Sequence, residues 1–412
     1  MLEGLNRGNS FYICASKFSI MQDVFIVSVA RTPVGSFGGV LSSLSTIQLG
    51  STVVDAVVKR AGIPASAVDE VIMGNVCSAN LGQAPARQAA LNGGLSSSTV
   101  CTTVNKVCAS GMKAISMAAQ SIQLGQSEIV IAGGMESMSN IPFYVPNARW
   151  GMKYGNSELI DGLHKDGLMN IYDKLAMGVF SDQTAKKYAI SREEQDAYAI
   201  GSYQKSTQAT ENGSFTNEIV PISIPQKKGE PLNVTKDEEY TKVDFSKIPA
   251  LKPSFTNDGT ATAANSSTLN DGASALLLMN AAKLKEYNLT PIARIVSYAD
   301  AEQAPEWFTT TPCVVTPLAL KRAGLQKEQI SYFEINEAFA VVPLAFSKIL
   351  ELDPQKINIH GGAISLGHPI GSSGARIVCT LSQILKQNQA QYGLATICNG
   401  GGGGTAVIIE RL

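Results

Sequence analysis

Several short segments place side chains capable of covalent chemistry where backbone N–H groups would be free. The run Val104-Asn105-Lys106-Val107-Cys108-Ala109-Ser110-Gly111-Met112-Lys113-Ala114-Ile115 leads from a short apolar stretch into small residues that read as a closely packed helix, with Cys108 at its start. A thiol there meets the positive end of the helix dipole and unpaired N–H groups, which favour the thiolate and can cradle an anion. The competing reading is a buried, inert cysteine, the commoner fate of this residue type. A second block, Gly361-Gly362-Ala363-Ile364-Ser365-Leu366-Gly367-His368-Pro369-Ile370-Gly371-Ser372-Ser373-Gly374, is a glycine-paced loop that precedes another small-residue helix. His368 could take a thiol proton there, or it could be a structural histidine in a turn. In the third block Cys398-Asn399 precedes the glycines 400 to 404. Strands Leu394 to Ile397 and Thr405 to Ile409 flank them, which argues against a flexible linker and for close backbone approach to a ligand, with Cys398 as a proton carrier. In the fourth, Glu334-Ile335-Asn336-Glu337-Ala338-Phe339, an amide and a carboxylate lie just past a strand, where α/β proteins bind ligands.

An internal repeat supplies the framework that would bring these blocks together. Phe25 to Ala30 is matched by Arg294 to Ala299, Lys59-Arg60-Ala61-Gly62 by Lys321-Arg322-Ala323-Gly324, Ser110-Gly111 by Ser373-Gly374, and Gly133-Gly134 by Gly400-Gly401, all at offsets between 262 and 269 residues. Four matches in one order argue for duplicated α/β units, about 22–135 and 288–412, against the alternative of chance likeness between helices. Strands alternating with helices predict largely parallel sheets that share helices between them. A pseudo-two-fold axis would then draw the starts of the Cys108 and His368 helices toward each other. Residues 138 to about 250 break the pattern and read as an inserted loop domain. One helix there is N-capped by Ser191, with Glu194 at the third position.

Bulk properties exclude several partners. With 412 residues the chain exceeds one ordinary core, and a net charge of −1 gives no electrostatic reason to bind nucleic acid or an anionic membrane. No apolar run reaches the roughly eighteen residues of a spanning helix, so no membrane partner is expected. The seven cysteines have no metal-ligand spacing and are expected to be reduced thiols in a cytosol-like compartment. Residues 1 to 20 carry Arg7, Lys17 and several serines against one acid, Glu3, and read either as a transit segment or as a ragged start, so the location is cytoplasmic or mitochondrial.

Together the four blocks resemble the thiolase family. Val29-Ala30-Arg31-Thr32-Pro33, Gly134-Met135-Glu136-Ser137-Met138-Ser139, Lys165-Asp166-Gly167-Leu168 and Thr262-Ala263-Ala264-Asn265-Ser266-Ser267 extend the likeness from Asp23 to Leu412. The resemblance implies a duplicated α/β fold of two similar mixed-sheet units in layers. It divides the chain into an extension (1–21), an N-terminal domain (22–137 plus about 256–287), an inserted loop domain (138–255) and a C-terminal domain (288–412). It implies acetyl transfer between acetyl-CoA units, giving acetoacetyl-CoA and CoA, in a homotetramer or dimer. Cys108 looks like the nucleophile, His368 its base, and Cys398 the acid/base at the methyl carbon. The N–H groups of Cys108 and Gly400 would hold one oxyanion, His368 and a water positioned by Asn336 the other. Ser267, Ala263 and the Lys242-Val243-Asp244 to Lys247 segment resemble CoA contacts, and Met177 and Phe339 look like acyl-pocket walls. No cofactor beyond the CoA substrates is implied except potassium, which some members bind; Tyr203, Ala263, Ala264, Ser266 and Ile364 match that pattern.

The chain departs from the family pattern at Ala176, where many relatives have histidine before Met-Gly, and at His360, which stands for a frequent asparagine and reads as structural. His164 reads as a surface or loop histidine. The resemblance leaves a broader 3-ketoacyl-CoA thiolase, a non-catalytic acyl-CoA-binding relative and a decarboxylating ketoacyl synthase as rivals. The last resembles a Cys-His-His set, whereas Cys398 occupies the third position here.

Overall fold

The computed structural model describes residues 21–412, so the candidate transit segment, Met21 apart, lies outside the described residues. The main strands are β1 (Val24–Arg31), β2 (Glu70–Gly74), β3 (Val100–Val104), β4 (Ile129–Ser137), β5 (Asn270–Met279), β6 (Ala293–Glu302), β7 (Ile330–Ile335), β8 (Tyr392–Asn399) and β9 (Gly403–Arg411). They pair in the order β7-β8-β9-β6-β1-β5-β4-β2-β3, with the short strand Gly35–Ser36 on β5. The principal helices are α1 (Thr46–Ala61), α2 (Ser110–Gln123), α3 (Met177–Lys187), α4 (Arg192–Glu211), α5 (Thr311–Ala323), α6 (Val341–Leu350) and α7 (Ser373–Gln387).

Three of the four sequence matches fall on equivalent elements, and the fourth does not: Gly133-Gly134 lies inside β4, whereas Gly400-Gly401 lies in the turn after β8. Helices α1 and α5 both stop on a left-handed glycine, Gly62 at φ 69° and Gly324 at φ 67°, whose N–H groups close the last turn. Ser110 and Ser373 both open a helix, α2 and α7. Within the insertion, Ser191 caps α4 and Glu194 answers with its side chain, as the spacing predicts.

The expectation of largely parallel sheets is corrected. Only β2 with β3, β2 with β4, and β7 with β8 run parallel. The pairings β4-β5, β5-β1, β1-β6, β6-β9 and β9-β8 are antiparallel. Two connections cause this. β5 re-enters the sheet from the long insertion rather than by a helical crossover, and β8 turns directly into β9 through the glycine run. Gly401 and Gly402 take φ values of 87° and 93° there, which side chains rarely tolerate. Gly400 to Gly402 form the hairpin turn, with Gly403 and Gly404 already paired in β9, and antiparallel strands need no crossover helix. The two units also join edge to edge through β1 and β6, so that one continuous ten-stranded sheet supplies both sheet layers.

Alternate residues of the central strands face different cores. Ile129 and Ile131 of β4 pack outward with α1, while Val130 and Ala132 pack inward against α2 and α7. In β9, Ile408 faces outward with α5 and α6, and Val407 and Ile409 face inward. The result is five layers, helix-sheet-helix-sheet-helix, with α2 and α7 in the middle. These helices cross at glycines. A β-carbon on Gly111 would lie 2.8 Å from the Ala375 nitrogen, and one on Gly374 would lie 2.6 Å from the Met112 nitrogen.

Two glycine substitutions should therefore have opposite signs. Gly374→Ala forces backbone apart and should cost about 1–3 kcal/mol, the usual range for overpacking. Gly201→Ala, within α4 where nothing lies near the added carbon, should stabilise by about 0.5–1 kcal/mol. Denaturation midpoints test both, and equal midpoints for the two variants would contradict the close crossing.

Candidate active site

Cys108 stands just before α2, on backbone that is locally strained. Val107 has φ 46°, unusual for a β-branched residue. Its N–H donates to Asn105 Oδ1 at 2.9 Å, and its carbonyl accepts from Ser110 Oγ at 2.6 Å, while Ser110 Oγ accepts the Lys106 N–H at 2.8 Å. This tight turn directs the half-buried thiol into a cavity of about 240 Å³. Cys398, at the end of β8, and His368, ahead of α7, line the same cavity, as does Gly400. Both Cys398 and His368 are buried, at 1% and 5% exposure.

Hydrogen bonds fix the imidazole. The His368 N–H of the main chain donates to Asn270 Oδ1 at 2.8 Å, and Nδ1 lies 2.6 Å from Ser373 Oγ. Ser373 donates its own proton to the Pro369 carbonyl at 3.0 Å, so its oxygen must accept from Nδ1–H. That assignment leaves the Nε2 lone pair toward Asn336 Nδ2, 3.5 Å away. Asn336 Oδ1 is buried without a partner among the described residues, a geometry suited to holding a water.

Burial keeps the resting site uncharged. The Cys108 thiol is pushed up to about 11 by burial, opposed by the N–H groups of Gly400 and of Cys108 itself and assisted by Glu136. Burial also raises the Cys398 thiol, and the neighbouring Cys108 adds to the effect. His368 is lowered to about 3, by burial first and then by the Arg376 charge. At neutral pH a thiol therefore faces a neutral imidazole, and proton transfer must accompany attack. Glu136 braces the floor. Its carboxylate accepts N–H groups of Val76, Cys77 and Gly371 and the Asn75 amide at 2.9–3.1 Å, and burial still lifts it to about 7.

The remaining expected residues divide into two groups. Met177, Phe339, Ser266 and Ser267 line the cavity, and Ala263 lines an adjoining outer cavity that shares Ser267 to Leu269 with it. Lys242, Val243, Asp244 and Lys247 line neither. Lys242 Nζ donates to Ser36 Oγ at 2.6 Å and pairs with Glu238 at 2.7 Å, so it reaches the outer cavity only through Ser36. Val243 packs toward Tyr203 and Ile364, and Asp244 pairs with Lys247 at 3.1 Å on the surface. The residues matched to potassium gather beside the 263–267 loop: Tyr203 and Ile364 share a cluster with Ala340, whose N–H donates to the Asn265 carbonyl. Ser266 Oγ there is buried and unpartnered among the described residues. His360 stays outside the cavity and faces Gln387. Sequence reasoning missed the aromatic walls Phe255 and Phe308, and it placed His164 on the surface although that side chain also lines the cavity. No periodic pattern marks any of the three: Phe255 lies in a loop, Phe308 in a short 3-10 helix and His164 in a single-turn π-helix.

Two thiols, one oriented imidazole and aligned backbone N–H groups around one cavity define a cysteine-dependent acyl-transfer site on a duplicated α/β fold. Comparison with known proteins is specific. The thiolase N-terminal domain model matches residues 24–282, and the thiolase C-terminal domain model matches residues 289–411. The chain is 55% identical to a probable acetyl-CoA acetyltransferase of Dictyostelium discoideum over 95% of each chain. It is 54% identical to an acetyl-CoA acetyltransferase of Schizosaccharomyces pombe, covering 95% of this chain and all of the relative. A thiolase from Ascaris suum, solved in complex with coenzyme A, superposes with a TM-score of 0.91 at 47% identity, covering 95% of this chain and 100% of the other. The chain belongs to the thiolase family.

The tautomer is directly measurable. Imidazole nitrogen shifts of His368 should report Nδ1–H in the native protein and a mixture in Ser373→Ala. An Nε2–H tautomer in the native protein would contradict the assigned hydrogen bonds.

Proposed function

We propose that the chain is an acetyl-CoA C-acetyltransferase, joining two acetyl-CoA molecules into acetoacetyl-CoA and CoA through an acetyl-cysteine, and cleaving the product in reverse. The observation that carries the reading is the convergence of Cys108, His368, Cys398 and Gly400 on one cavity. Cys108 Sγ attacks the thioester carbon as its proton passes to His368 Nε2. The oxyanion forms against the N–H groups of Cys108 and Gly400, donors each worth about 3–4 kcal/mol in comparable sites. The departing CoA sulfur takes the proton of Cys398. The Cys398 thiolate then removes a proton from the methyl group of the second acetyl-CoA, whose enolate oxygen rests on His368 Nε2–H and an Asn336-held water. The carbanion attacks the acetyl carbon, and Cys108 leaves and recovers its proton from His368. Protons balance over the cycle, and covalent catalysis has divided one difficult step into two.

Met177 and Phe339 limit the acyl pocket in this reading, and Ser267 and Ala263 guide the CoA arm. A monovalent cation held near Tyr203, Ala263, Ala264, Ser266 and Ile364 would stiffen that loop without joining the bond-making. The orphaned Ser266 hydroxyl supports such a site. Assembly as a homotetramer or dimer is part of the same proposal, since exposed Trp150 and Met152 of the insertion offer apolar surface for a second copy to cover. Relatives carry both cytosolic and mitochondrial names, and either location accommodates this chemistry.

Separate half-reactions test the roles. Cys108→Ala should abolish both acyl-enzyme formation and turnover; labelling by acetyl-CoA at the native rate would refute its role as nucleophile. Cys398→Ser should still acylate but lose condensation by about 10²–10⁴, the span of acid/base contributions, and equal loss of both half-reactions would argue for another role. Thiolysis rates on acetoacetyl-CoA should exceed those on longer 3-ketoacyl-CoA. The opposite order would favour the broader degradative activity.

A further inference from the structure

The cavity is lined by four titratable side chains, Cys108, Cys398, His368 and His164, and the mechanism uses only the first three. His164 differs from them in position. Cys398 and His368 are buried at the floor, whereas His164 is exposed and so stands at the rim. It opens a one-turn π-helix, His164–Leu168, a conformation that is rare and found disproportionately at functional sites. The turn is held from several sides. Asp161 Oδ1 accepts the Leu163 N–H at 2.9 Å and the His164 N–H at 3.4 Å, Leu163 is buried beneath, and Asp166 accepts the Tyr144 hydroxyl at 2.6 Å. Only the main-chain N–H of His164 is engaged, and its ring has no hydrogen-bond partner among the described residues. A fixed backbone thus presents a free imidazole to an otherwise apolar wall of Leu168 and Met177.

We infer that His164 is a specificity-determining residue whose ring hydrogen-bonds an amide of the pantetheine arm of the CoA thioester. The inference rests on the proposed activity only for the class of ligand. A thioester reacting at the buried Cys108 and Cys398 sulfurs must lead its arm out past the rim. That arm carries secondary amides, each with one donor and one acceptor, and an imidazole ring can hydrogen-bond either through its two nitrogens. A thioester without amides has nothing for the ring to bind.

His164→Leu, which keeps bulk and removes hydrogen bonding, and His164→Asn, which retains a donor and an acceptor, provide the test. Calorimetry with CoA alone needs no turnover: His164→Leu should weaken binding about fivefold, the size of one net hydrogen bond, and His164→Asn less. At saturating CoA, His164→Leu should raise KM about fivefold for acetoacetyl-CoA and for acetoacetyl-pantetheine. It should leave kcat unchanged, and KM unchanged for an S-butyl acetoacetyl thioester, which lacks amides. Unaltered CoA binding would overturn the inference. So would equal loss on the butyl thioester, which marks a packing role, or loss with CoA but not pantetheine, which marks a phosphate contact. Absence of native turnover with normal CoA binding would count against the catalytic reading alone.

Discussion

The backbone approach of α2 and α7 is the constraint on which the rest of the structure depends. Each helix starts a reactive segment, and glycine at positions 111 and 374 lets the two starts come together with main-chain atoms in contact. Neither helix could carry a side chain there without separating the units. Because α2 belongs to the first repeat and α7 to the second, their crossing places Cys108 opposite His368, and the strand end that follows α7 brings Cys398 and Gly400 alongside. Duplication therefore builds one asymmetric site from two related halves: the same helix start carries the proposed nucleophile, Cys108, in one copy and follows the proposed base, His368, in the other.

Close packing also sets the electrostatics. A dry floor raises the thiols and lowers the imidazole, so the resting site holds no internal charge pair that substrate would have to displace. Charge appears only as bonds change, where backbone N–H groups already point. Glu136 and the Ser373 hydroxyl do not meet substrate in this account. The carboxylate ties the 75–77 and 371 backbones together, and the hydroxyl holds the imidazole in one tautomer. Such outer partners keep the reacting atoms within the small tolerances that acyl transfer demands.

Much of this was legible in the chain itself, for identifiable reasons. The repeat of Lys-Arg-Ala-Gly stops and Ser-Gly starts marks equivalent helix ends, because left-handed caps and close crossings admit few residues. Cys108, His368 and Cys398 stand out because each adjoins a run of glycine or small residues at an element boundary. Alternation of strands with helices predicts largely parallel pairing, which the insertion and the glycine hairpin overturn by reversing the chain, while the mixed sheet that the family resemblance implies is the one observed. The 242–247 segment was placed by likeness to relatives, and position in a loop does not follow from residue type. His164 reads as a surface or loop histidine and is exposed, but a single-turn π-helix has no periodic signature to show that it also lines the cavity.

One shared floor for both thiols and the imidazole is what the proposed chemistry requires. Its most direct test is a crystal structure of the acetylated enzyme with CoA. The acetyl group should sit on Cys108, its oxygen about 3 Å from the N–H groups of Cys108 and Gly400, as an oxyanion hole requires, with Cys398 Sγ and His368 Nε2 facing the same carbon. An acetyl group elsewhere, or a Cys398 sulfur turned away into a separate core, would contradict it.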